Sequence, residues 1–126
     1  MTLRFRLLPQ RYAVVRLAPD DAIPAWARGE LVSITRTPDE LSVICAEDAV
    51  PPDCTATRGW RCLAAIGPFA FTDIGIAAEF TRVLADVRIS VLVVSTYDTD
   101  YLLVAGEQID RAVAALVDAG QEVQAD

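Results

Sequence analysis

The sequence predicts an α+β protein, and three observations carry that prediction. Short apolar runs bounded by turn residues read as strands, and two longer segments repeat their apolar residues at helical spacing. In the second half these alternate as strand, helix, strand, strand, helix and a possible last strand, which is the split βαβ (βαββαβ) arrangement of ferredoxin-like domains.

Each element follows from its residues. Leu3 to Leu8, Tyr12 to Leu17, Leu31 to Thr35 and Leu41 to Ala46 are strand-like runs separated by Pro, Asp and Arg. Between the second and third, Asp20 to Ala27 has an acidic start and a single Pro, which suggests a helix of one or two turns ending near Gly29. Pro38-Asp39-Glu40 suits a hairpin turn. Glu47 to Arg58 carries two prolines and reads as a short helical turn, then a loop, and as the boundary between halves. Trp60 to Ile66 is a strand that Gly67-Pro68 ends. From there Ile76, Phe80, Val83, Leu84 and Val87 share one helical face, with Glu79, Arg82 and Asp86 on the other. Ile89 to Val94 and Tyr101 to Val104 are β-branched or aromatic runs, hence strands, joined by Ser95 to Asp100. The split βαβ order sets the strand before this hairpin beside the strand leading to Gly75. Ile109, Ala112, Val113, Leu116 and Val117 keep helical spacing again, Gly120 is placed to cap that helix, and Gln121 to Val123 suits a short final strand. The first half repeats the order with both helices shortened. At an offset of 60, Thr35 falls on Ser95, Glu40 on Asp100, Val43 on Leu103, Ile44 on Val104 and Glu47 on Glu107, which suggests an internal duplication.

Composition bounds the function. The 126 residues suffice for one compact domain or two small ones sharing a core. All 11 basic residues are arginines, against 18 acidic ones, and the net charge of -7 argues against nucleic acid and anionic membranes as partners. Histidine is absent, which excludes Ser-His-Asp and Cys-His hydrolases and removes the commonest zinc ligand. No apolar run is long enough to span a bilayer and no secretory leader is evident, so a cytoplasmic location is the default expectation. Cys45, Cys54 and Cys62 form no CxxC pair, so neither a disulfide framework nor a metal or cofactor site is indicated. Cys45 and Cys62 sit in apolar runs as small core residues, and Cys54 is expected to be more exposed.

Two segments could carry chemistry. In the loop Gly67 to Ile76, Asp73 or Thr72 can cap the helix start, and Gly75 allows close approach to the backbone. A plain helix start explains these residues, and so does a site where amide groups hold a carboxylate while Asp73 attracts an ammonium group. The second is Ser95-Thr96-Tyr97-Asp98-Thr99-Asp100-Tyr101, which serves as an ordinary hairpin or as a cation-binding edge. Asp73 and Asp100 brought together would repel unless a cation bridged them. Trp60 and Tyr97 could each wall a pocket or simply pack.

The run from Trp60 to Val104, with Gly67-Pro68, the Gly75-Ile76 helix entry and the string STYDTDYLLV, resembles ACT-type regulatory domains, in the branch related to the eukaryotic cytosolic arginine sensors. The resemblance implies a ferredoxin-like ACT domain over residues 59–126 and a degenerate ACT-like unit over residues 1–58. It also implies side-by-side pairing, as a homodimer or with a partner protein, and a free amino acid or similar small molecule held at a domain or subunit interface. On that resemblance the ligand-binding positions are Asp73, Gly75, Ile76, Thr96 and Asp100. The chain departs from the pattern at Ala70, where relatives often carry an acid, and Asp73 is one methylene shorter than Glu. The leading expectation is therefore a non-enzymatic regulatory amino-acid binder without a cofactor. The alternative is an interaction module that uses a sheet edge and binds no metabolite, and an enzyme would have to work without His or Lys.

Overall fold

Short apolar runs bounded by turn residues produce most of the strands, and the two helical stripes produce helices. The structure is a computed structural model that describes residues 2–67, 69 and 74–125. Its elements are β1 (Arg4–Leu7), β2 (Tyr12–Leu17), β3 (Ser33–Arg36), β4 (Leu41–Ala46), a 3-10 turn (Glu47–Ala49), β5 (Ala56–Ala65), α1 (Ile76–Asp86), β6 (Leu92–Ser95), β7 (Asp100–Ala105), a second 3-10 turn (Gly106–Gln108), α2 (Ile109–Asp118) and β8 (Glu122–Ala125). The chain divides into two compact units, Gln10–Trp60 and Met1–Pro9 with Arg61–Asp126.

In the unit Gln10–Trp60 the strands lie in the order β3-β4-β2-β5, all antiparallel. This is the ferredoxin-like strand order without its two helices. Ala13, Val15, Leu41, Val43, Cys45 and Val50 form the core, with Trp26 and Ala27 packed against it from the segment between β2 and β3. The helix expected over Asp20 to Ala27 does not form. Instead the Asp21 carboxylate accepts the Ala18 amide at 2.9 Å while the Asp21 amide donates to the Ala18 carbonyl, and a separate turn closes from Ala27 to Pro24. The acidic residue thus spends its side chain on a local turn, which competes with helix formation. β5 also begins earlier than its apolar residues indicate, at Ala56, with a register shift against β2 where Gly59 takes a φ of 81°.

In the other unit β1 lies between β5, to which it is antiparallel, and β8, to which it is parallel; β7 pairs with β5 and β6 pairs with β7. The strand after the Ser95–Asp100 hairpin, rather than the one before it, therefore adjoins β5. Both helical stripes face the core as expected: Ile76, Phe80 and Leu84 from α1 and Ile109, Ala112 and Leu116 from α2 pack on Leu3, Phe5, Leu63, Leu102 and Val104. Phe5 and Phe80 meet edge to face at 5.8 Å. Gly120, at φ 91°, ends α2 as predicted, with the Gly120 amide on the Val117 carbonyl and the Gln121 amide on that of Leu116. Arg88 builds the same cap on α1 at φ 61°, and Ile89 follows it as a buried cap residue rather than as the start of a strand.

The same hairpin occurs in both units. β4 with its 3-10 turn corresponds to β7 with its own at a spacing of 59, and Ala46 (φ -56°, ψ 133°) corresponds to Ala105 (φ -54°, ψ 134°). Thr37 and Thr96 open the two turns and make the same bonds: amide to the carbonyl three residues on, hydroxyl to that same carbonyl, and hydroxyl accepting the amide of that residue. The sequence offset of 60 is one residue too long, because Ile44 and Val104 or Glu47 and Glu107 look alike but do not share a register.

Candidate ligand-binding site

One wall of the site is the start of α1. Gly75 enters the helix at φ 82° and ψ 7°, and its carbonyl accepts the Glu79 amide at 2.9 Å. Ile76 is buried and anchors the turn, whereas Ala77 and Ala78 are exposed and too small to cover their own amides. No side chain among the described residues caps these amides, so the positive end of the helix dipole faces the site.

The other wall is the Ser95–Asp100 hairpin. It is tied to the end of β5 and to the chain beyond it: the Thr99 hydroxyl donates to the Ala65 carbonyl at 2.7 Å, and the Phe69 amide donates to the Asp98 carbonyl at 2.8 Å. Gly67 makes this approach possible, since a Cβ there would lie 2.9 Å from the Asp98 carbonyl oxygen. At the mouth of the turn the Ser95 hydroxyl donates to Asp100 Oδ1 at 2.6 Å, across the last pair of the β6–β7 ladder.

Between the two walls lies a cleft of about 380 Å³. Gly75, Ile76, Thr96 and Asp100, four of the five residues singled out in the sequence, line it together. Asp73 lies outside the described residues, as does Thr72, its companion as a candidate cap. Tyr97 lines the cleft and is 80% exposed, while Trp60 does not line it and donates its indole N–H to Thr57. Sequence reading missed Ala77 and Ala78, whose apolar side chains carry no chemical signal, and it quoted Phe69 and Ser95 only as parts of the two candidate segments. Among the described residues the charged groups of the cleft are both acidic, Asp98 and Asp100. The arrangement can hold a carboxylate at the helix start and a cationic group at the hairpin, with small apolar side chains between.

The cysteines stand apart from this cleft. Burial pushes the Cys62 thiol up to about 12 and raises that of Cys45, so both are unreactive core residues; Cys54 is partly exposed. No group of three or more metal-ligating side chains occurs among the described residues. Among the described residues no helix is long and apolar enough to cross a membrane.

Comparison with known proteins decides the family. A profile of the ACT domain matches residues 55–118. The chain belongs to the ACT-domain family. A second profile, of an N-terminal domain, matches residues 10–53 of this ACT-domain protein. A crystal structure from Agobacterium tumefaciens is 38% identical, with a TM-score of 0.93 over 100% of this chain and 95% of that one. A Vibrio cholerae protein of unknown function, described as a possible transport protein, is 19% identical at a TM-score of 0.79, covering 95% and 91%. The regulatory subunit of aspartate kinase from Thermus thermophilus, in a ligand-free form, is 11% identical at 0.64, covering 91% and 96%; these two likenesses establish the fold. No curated protein sequence matches the chain.

Proposed function

We propose that this ACT-domain protein is a non-catalytic regulator that binds a free amino acid, or a closely similar small molecule, in the cleft between α1 and the Ser95–Asp100 hairpin. One observation carries the reading: the start of α1, whose amides no described side chain caps, and the Asp100 carboxylate line the same cleft, which is the charge pattern of a zwitterion. Asp73, one residue before the exposed Ile74, joins Gly75, Ile76, Thr96 and Asp100 in the proposed site on the strength of the resemblance. The STYDTDYLLV string supports placing the protein near the cytosolic arginine sensors within the family, in the cytoplasm. Residues 1–58 then form a degenerate ACT-like unit and residues 59–126 the binding one, and ligand changes which pairing with a second copy or a partner protein is favoured.

A thermal-shift screen against the proteinogenic L-amino acids at millimolar concentration, repeated on Asp100→Ala, tests this. Occupancy at about 100 times the dissociation constant stabilises the fold by about 2.7 kcal/mol. A selective shift that disappears in Asp100→Ala is expected; no shift with any amino acid overturns the reading. One observation favours the second reading, an interaction module without a metabolite: β6 has a single partner strand among the described residues and exposes Leu92 and Val93. That reading predicts self-association or partner binding untouched by Asp100→Ala.

A further inference from the structure

The two hairpins separate what the turn needs from what the cleft needs. Thr37 and Thr96 make the same hydroxyl bonds in both, although among the described residues the second hairpin, and not the first, shares a cleft with a helix start. The Thr96 hydroxyl is therefore turn chemistry first, its proton donated to the Thr99 carbonyl at 3.1 Å and one lone pair taken by the Thr99 amide at 3.2 Å. The pair that closes the ladder behaves differently. In the second hairpin it is Ser95 opposite Asp100, joined side chain to side chain at 2.6 Å; in the first it is Arg36 opposite Leu41, which cannot make that bond. A hairpin of this shape thus forms without the Ser–Asp bond, and the bond is found where the cleft is.

We infer that Ser95 is a positioning residue for the amino-acid site, holding Asp100 by one carboxylate oxygen so that the other stays aimed into the cleft. This rests on the proposed function. The Ser95 hydroxyl donates to Oδ1 and leaves Oδ2 to meet the ligand's ammonium group, and a carboxylate fixed in this way loses less freedom on binding. Thr96 contributes to the ligand at most its remaining lone pair.

The test uses the full chain, with the proteinogenic L-amino acids as the probe panel and calorimetric titration of whichever of them shifts the wild type. Ser95→Ala is expected to weaken binding of that amino acid roughly five- to tenfold. Ser95→Thr, which keeps the hydroxyl, restores affinity, and adding Ser95→Ala to Asp100→Asn produces no further loss, because Ser95 acts through Asp100. The melting temperature of unliganded Ser95→Ala separates lost positioning from lost folding. Undiminished binding by Ser95→Ala overturns the inference and leaves the amino-acid reading standing; so does an equal loss on the Asp100→Asn background. A wild type that binds none of the panel overturns both.

Discussion

Arg36 occupies in the first hairpin the place that Ser95 holds in the second, and its guanidinium donates to the Pro19 carbonyl. Opposite it, Leu41 is fully buried where Asp100 lines the cleft. The segment after β2 supplies no helix start either, because Asp21 has closed it into a turn. All three parts of the proposed zwitterion site are thus replaced in the unit Gln10–Trp60. The expected stoichiometry is one amino acid per chain, and calorimetry giving two equivalent sites per chain would refute it.

Gly67→Ala should damage the site from behind. The new methyl group would meet the Asp98 carbonyl at 2.9 Å, a backbone atom that moves only if the whole turn moves. A destabilisation of about 1–3 kcal/mol is expected, along with amino-acid binding weaker than that of the wild type. Denaturant melts and titration of Gly67→Ala beside the wild type make the comparison.

Arg88 and Gly120 build the same helix cap with different residues. Arg88→Gly relieves a left-handed backbone and should raise stability by about 0.5–1 kcal/mol, whereas Gly120→Ala should lower it by about 1 kcal/mol. Opposite shifts of a few degrees in melting temperature are expected.

The thiols give a reactivity and a pH prediction. In the folded protein a thiol reagent at neutral pH should modify Cys54, with Cys45 and Cys62 reacting only after unfolding. Cys62 holds its proton in the folded state up to about 12 against an ordinary 9.0, so its contribution to stability is complete below about pH 9 and is lost as pH rises towards 12. Cys62→Ala should flatten that alkaline loss in a series of melts.

Gln121 is 4% exposed, takes the Leu3 amide on its Oε1 at 2.5 Å and donates to Glu79 at 3.3 Å. Gln121→Leu leaves that amide without its acceptor, at an expected cost of about 1–3 kcal/mol by denaturant titration.

Both helices were legible because Ile76, Phe80 and Leu84, and Ile109, Ala112 and Leu116, repeat at the period of a single face and are all buried in the core. β2 and β4 were read to the residue because each is a short apolar run bounded by turn residues. What failed was whatever depended on side-chain competition or distant pairing. Asp20 to Ala27 carries a helix-start composition whose acid is used elsewhere, and the first half of β5 is too exposed to show an apolar pattern. Ile89 looks like strand because burial, which it has, resembles strand character in a β-branched run. In the site, Asp100 and Gly75 were readable as chemistry, whereas the division of labour between Ser95 and Thr96 emerges only when the two hairpins are compared bond by bond.

β1 and β8 lie side by side, Leu7 opposite Ala125, with nearly the whole chain between them. During synthesis β1 leaves the ribosome before the other strands described and must wait, with one edge unsatisfied, until residues 122–125 emerge. The strands of Gln10–Trp60 pair over far shorter distances and have no such delay. The nascent protein should therefore acquire protease resistance in the segment Gln10–Trp60 first, and the cleft, whose supporting helix packs on Phe5, should gain its final rigidity only once residues 122–125 have emerged.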